Sequence, residues 1–75
     1  MMKQDEKLLL KALLEIPDDA RYPYKFARDL GLELGLHWKR TAYLCEKWTR
    51  KGWWEYGVSV DLGWFTPEGR RDIVV

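Results

Sequence analysis

Asparagine is absent from this chain of 75 residues, and glutamine, serine, cysteine and histidine occur once each, as Gln4, Ser59, Cys45 and His37. Each scarcity closes a route. A single cysteine cannot form an internal disulfide, which makes a reducing cytoplasm the expected compartment and Cys45 a plain core residue. One histidine beside one cysteine supplies no set of metal ligands, and no cofactor is expected. The lone serine, cysteine and histidine fall on different expected elements, and no glycine-rich phosphate loop is present, so enzymatic chemistry is not expected. No apolar run approaches the roughly 20 residues of a membrane span. Met1 leads into charged residues and an amphipathic helix rather than a signal peptide. The shortage of side-chain amides also narrows any reading of bases. Adenine is usually recognised by Asn or Gln, which leaves Arg or Lys on guanine and apolar contact with thymine methyls.

Apolar and aromatic side chains, by contrast, are plentiful. An apolar share of 47% with five tryptophans provides for one small core, so residues 1–75 are read as a single domain near the lower size limit for a core without disulfides or metals. The formal charge is +1, but residues 37–51 hold Lys39, Arg40, Lys47, Arg50 and Lys51 against Glu46 alone, a local balance of +4. A nearly neutral chain can therefore carry a concentrated positive potential.

Periodicity predicts the elements. Leu9, Leu13 and Ile16, flanked by Leu10 and Ala12, recur at helical spacing and predict a first helix over 3–16, stopped by Pro17 and followed by a polar connector, Asp18 to Arg21. A second helix is predicted over 23–30, with Pro23 at its start and Gly31 at its end. Gly31 and Gly35 would bracket a connector, with Leu34 and Leu36 anchored in the core. A third helix is predicted over 37–51, with Gly52 as its C-terminal cap. At about 100° per residue, Lys39, Arg40, Tyr43, Lys47, Arg50 and Lys51 fall on one arc of that helix. Trp48, Thr41, Cys45, Trp38, Thr49 and Ala42 fall on the other, with Leu44 at its border. One face suits a core and the other an anion. Helix, short connector, basic helix is the helix-turn-helix order.

After Gly52 the period becomes that of strands, with Trp53, Trp54, Tyr56 and Val58 on one side and Val60, Leu62, Trp64 and Phe65 on the other. A hairpin is predicted, with strands near 53–58 and 62–66 and a turn near 59–61. Thr66-Pro67-Glu68 then opens a short final helical turn. The predicted class is α+β, with three helices, a two-stranded wing and that terminal turn.

In this order the chain resembles the winged helix-turn-helix domain of small transcriptional regulators of the multiple-antibiotic-resistance and phenolic-acid-regulator kinds. Trp48-Thr49-Arg50-Lys51-Gly52-Trp53-Trp54-Glu55-Tyr56 is similar to that family's exit from the recognition helix, and Gly63-Trp64-Phe65-Thr66-Pro67-Glu68-Gly69-Arg70 resembles the end of its wing. The resemblance implies that Lys39, Arg40, Tyr43 and Lys47 face the major groove and Arg50 the phosphates. His37, where the helix begins, could touch phosphate or base, and Lys51 extends the basic arc. The wing departs from the family, because residues 52–69 contain no basic residue and three acids, Glu55, Asp61 and Glu68. A wing contact with phosphate is therefore not expected. The long dimerisation helices of those regulators have no counterpart here, which leaves the oligomeric state open.

The aromatic residues admit two readings. Trp53, Trp54 and Trp64 can fill a small core or form a partner surface. Strand alternation argues that adjacent Trp53 and Trp54 are not both buried. Tyr43 can pack under basic stems or stack on a base or sugar. The expected function is binding of duplex DNA through the third helix, as a transcriptional regulator or a DNA-architecture factor of the kind mobile elements encode. The alternative is a protein-interaction module using the acidic, tryptophan-rich wing. A single-stranded nucleic-acid binder with Tyr43 as platform ranks third.

Overall fold

The computed structural model describes residues 2–16 and 27–73. The predicted stop at Pro17, the connector from Asp18 to Arg21 and the helix start at Pro23 lie outside these residues. Among those described, the chain is α+β, with four helices and one antiparallel hairpin: α1 (Gln4–Leu14), α2 (Ala27–Glu33), α3 (Trp38–Arg50), β1 (Trp54–Tyr56), β2 (Gly63–Phe65) and α4 (Pro67–Asp72).

The second helix ends later than predicted. Gly31 lies inside α2, and Gly35 is the residue that terminates it, with φ of 86°. The Leu36 amide donates to the Gly31 carbonyl at 2.8 Å and the Gly35 amide to that of Leu32 at 3.0 Å, the paired bonds of a Schellman cap that follow from a left-handed residue in that position. Gly31 serves packing instead. A Cβ there would run into Oγ1 of the buried Thr41, so glycine lets α2 lie close against α3. The connection between the two helices shrinks to residues 34–37. Leu36 is buried in it, while Leu34, expected in the core, is exposed.

The end of α3 repeats the same device. Gly52 has φ of 80°; its amide donates to Thr49 at 3.0 Å, and the Trp53 amide donates to Trp48 at 2.9 Å. The chain then enters the hairpin at once, with Trp54 opposite Phe65, Glu55 opposite Trp64 and Tyr56 opposite Gly63. Both strands are shorter than predicted, because the segment between them leaves the ladder and folds back towards α2. There Arg28 Nε donates to Asp61 Oδ2 at 2.9 Å.

Trp48 stands at the centre of the core, in ring contact with Trp54 and Phe65 at 5.8 Å, while Trp54 and Phe65 meet edge to face at 4.9 Å. Leu9, Leu10, Leu13, Leu44 and Cys45 pack around them. Burial pushes the Cys45 thiol up to about 12, which leaves it a small apolar side chain with no thiolate chemistry. The terminal turn is a helix, α4, capped by Thr66, whose Oγ1 accepts from the Gly69 amide at 2.9 Å. Arg70 of α4 donates to the carbonyls of Leu14 and Ile16 at 3.4 and 3.1 Å. The C-terminal end of α1 thus receives both hydrogen bonds and a positive charge.

Candidate nucleic-acid interface

Two neighbouring carboxylates, Asp5 and Glu6, occupy the first turn of α1, where acidic side chains suit the positive end of the helix dipole. They also meet the flank of α3. Arg40 Nε donates to Asp5 Oδ2 at 2.8 Å and its Nη2 to Asp5 Oδ1 at 3.1 Å, a two-pronged pairing. Lys47 Nζ donates to Glu6 Oε1 at 2.9 Å, and the other oxygen of Glu6 accepts from Trp48 Nε1 at 2.8 Å. Glu6 is 1% exposed. A carboxylate so placed is tolerable only because each oxygen has a donor and one donor is charged.

This revises the expected groove face. Arg40 and Lys47 are not free cations on an open surface but partners of α1. Asp5 and Glu6 offset two charges of the +4 helix, leaving a net +2. The hydrogen bond and charge of Arg40 hold the Asp5 carboxyl below its ordinary value, against partial desolvation, and Asp5 in turn raises Arg40. The guanidinium also lies 5.5 Å from the centre of the Tyr43 ring.

His37 and Lys51 have structural work at the two ends of α3. His37 is the N-cap: its Nδ1 accepts from the Lys39 amide at 3.1 Å, satisfying one of the amides a helix start leaves unpaired. Lys51 is the C-cap residue, and its ammonium lies 4.9 Å from the Trp53 ring centre.

Lys39, Tyr43 and Arg50 form, with Glu46, an exposed stripe at spacings of four, three and four residues down α3. The Arg50 side chain makes no hydrogen bond or ion pair among the described residues, and the Lys39 ammonium meets only the face of Trp38, at 5.6 Å. Trp38 departs from expectation. Assigned to the core arc, it is 48% exposed, because it is the first residue of α3 and precedes the turn that packs on α2. It also lies beside the His37 ring at 5.6 Å.

The three tryptophans of the expected partner surface separate. Trp54 is core at 2% exposure and donates from Nε1 to the Val60 carbonyl at 2.7 Å, so it cannot meet a partner. Trp53 is half-buried. Trp64 is 53% exposed on the outer face of the hairpin, where its Nε1 donates to Glu55 at 3.3 Å. Asp61, counted as a wing acid, is buried: desolvation pushes its carboxyl up, but the Ser59 hydroxyl at 2.6 Å and Arg28 outweigh that and hold it below its ordinary value.

Sequence reasoning missed Asp5, Glu6, Arg28 and Asp61 as structural partners. Their pairings span 33 to 41 residues. The only signal was that every negative charge except Glu46 lies outside the basic helix. Among the described residues no group of three His, Cys, Asp or Glu side chains could hold a metal ion, and no helix is long and apolar enough to cross a membrane. Set against protein-family models, curated proteins and solved structures, the chain has no match.

Proposed function

We propose that this chain is a winged helix-turn-helix domain that binds duplex DNA through α3, acting as a transcriptional regulator or a DNA-architecture factor. The observation that carries the reading is the stripe of Lys39, Tyr43, Glu46 and Arg50, in which two cations and an aromatic ring outweigh one acid along an exposed face of a 13-residue helix. That spacing matches what a major groove accepts from a helix, with the N-terminal residues nearest the bases and basic side chains on phosphates. The four-residue connection after α2, and a hairpin that begins immediately after α3, support the same reading. The hairpin contributes no cation, so affinity rests on α3 and its N-terminal neighbours.

The test is fluorescence anisotropy with a random-sequence duplex pool at low and physiological salt, run beside the Lys39→Ala/Tyr43→Ala/Arg50→Ala variant. Arg40 and Lys47 are left intact, because removing them strands Asp5 and Glu6 and confounds binding with folding. Salt-sensitive binding that the variant loses is the expected result. Absence of binding by the unmodified protein at both salts refutes the reading.

A second reading, a protein-interaction module, draws on the exposure of Trp64 on the acidic hairpin. It predicts association with a protein partner that persists at high salt and is lost in Trp64→Ala.

A further inference from the structure

The pairing of Arg40 with Asp5 has a geometry that leaves part of the guanidinium available. Asp5 takes the side edge, Nε and Nη2. A guanidinium has five N–H groups, and those on the far end, from Nη1 and the second hydrogen of Nη2, form another two-pronged fork. The Arg40 guanidinium makes no other hydrogen bond among the described residues, and the side chain is 30% exposed. Its Cζ sits over the Tyr43 ring, 5.5 Å from the ring centre. A side chain with several free torsions is thus held by a carboxylate on one edge and by a ring face, with the second fork unpaired among the described residues.

We infer that Arg40 is the base-selecting residue of α3 and that Asp5, on α1, is its positioning residue, so that the chain discriminates guanine within duplex DNA. This rests on the duplex-binding reading above. Guanine is the base whose major-groove edge offers two acceptors, O6 and N7, at the spacing of an arginine fork. With no asparagine in the chain and its one glutamine, Gln4, at the start of α1, a guanine-selecting arginine is the directional contact this helix can supply. Asp5 has opposite effects on affinity and selectivity. Its charge lowers attraction for phosphate, while its grip removes the freedom that would let Arg40 settle on any nearby phosphate oxygen.

The inference is tested by selecting preferred sites from a random-sequence duplex pool with the full chain, then measuring affinity for the selected site and for the same site with 7-deazaguanine, which lacks the N7 acceptor. The unmodified protein is expected to enrich an invariant guanine and to lose about tenfold in affinity at the 7-deazaguanine site. Asp5→Ala is expected to bind the random pool more tightly, with a salt slope steeper by about 0.9, and to lose both enrichment and sensitivity to 7-deazaguanine. Asp5→Asn, which keeps the side-chain size, follows in the same direction and covers the case of a poorly folded alanine variant. Arg40→Lys keeps the charge and the salt slope while losing discrimination. An Asp5 variant that retains the full preference and the 7-deazaguanine penalty overturns the inference and leaves duplex binding standing. Failure of the unmodified protein to bind any duplex overturns both.

Discussion

The two flanks of α3 carry cations of the same charge on the same helix, and they are built for different tasks. On one flank Arg40 and Lys47 reach the first turn of α1, where Asp5 and the buried Glu6 receive them. About a quarter turn away, Lys39 and Arg50 meet no carboxylate. A helical wheel treats all four alike, since it sorts side chains by angle and knows nothing of the neighbouring helix. The difference teaches that a cation already paired with an acid of the same chain is not a free charge for phosphate, and keeps for a ligand only the N–H edge that the acid leaves unused. It also teaches that removing a cation from the paired flank acts on folding before it acts on any ligand.

The strongest way to break this contrast is Glu6→Ala. It deprives Lys47 of its partner and leaves the Trp48 indole N–H buried without an acceptor. We expect a loss of roughly 3 kcal/mol. For a domain of this size that lowers the midpoint of thermal unfolding by roughly 12–24 °C, read by circular dichroism. A midpoint within a few degrees of the unmodified protein contradicts the role given to Glu6.

The open flank should show the reverse behaviour. Lys39→Ala/Arg50→Ala is expected to change stability by less than about 0.5 kcal/mol while weakening duplex binding about tenfold. It should reduce the slope of log affinity against log salt by roughly 1.8, the value for two phosphate contacts. A large stability loss with an unchanged slope would mean that these cations belong with the paired flank.

Acid sharpens the contrast further. Asp5 and Asp61 both have carboxyls held below the ordinary value of 3.8. A depressed folded value means that the stabilisation is present above the unfolded value and is lost as pH falls through the folded one. Unfolding free energy should therefore be insensitive to these two groups near neutrality and decline below about pH 4. Asp5→Asn should make the decline shallower, which denaturant melts across acidic pH would measure.

The smallest expected effect is at the N-cap. His37→Ala removes the acceptor for the Lys39 amide at an exposed helix start, with a cost of about 0.5–1 kcal/mol. His37→Asp or His37→Ser should restore it. Binding should change little if His37 serves the helix rather than a ligand.

Much of the frame was legible in the chain. The spacing of Leu9, Leu10 and Leu13, the change of period after Gly52 and the Thr66-Pro67 start of α4 are local signals. Each depends on propensities and caps that operate within a few residues. Gly31 was misread for an equally physical reason: a glycine near the end of an apolar helix pattern looks like a cap, and only contact with Thr41 reveals that it is a site of close helix approach. Trp38 was assigned to the core from its angle alone, although at the first residue of a helix the neighbouring layer no longer covers that angle.

The candidate site divides along the same line. That α3 is basic on one arc and apolar on the other, that Trp48 is core, and that the adjacent Trp53 and Trp54 are not both buried all follow from side-chain periodicity, which the chain carries by itself. Which cations remain available, which tryptophan stays exposed and where Asp61 goes depended on packing between elements distant in sequence. Asp5 meets Arg40 across 35 residues and Glu6 meets Lys47 across 41. No local pattern encodes such pairings, because they form only after the helices have docked through their apolar faces and brought the charges between them within a few ångströms.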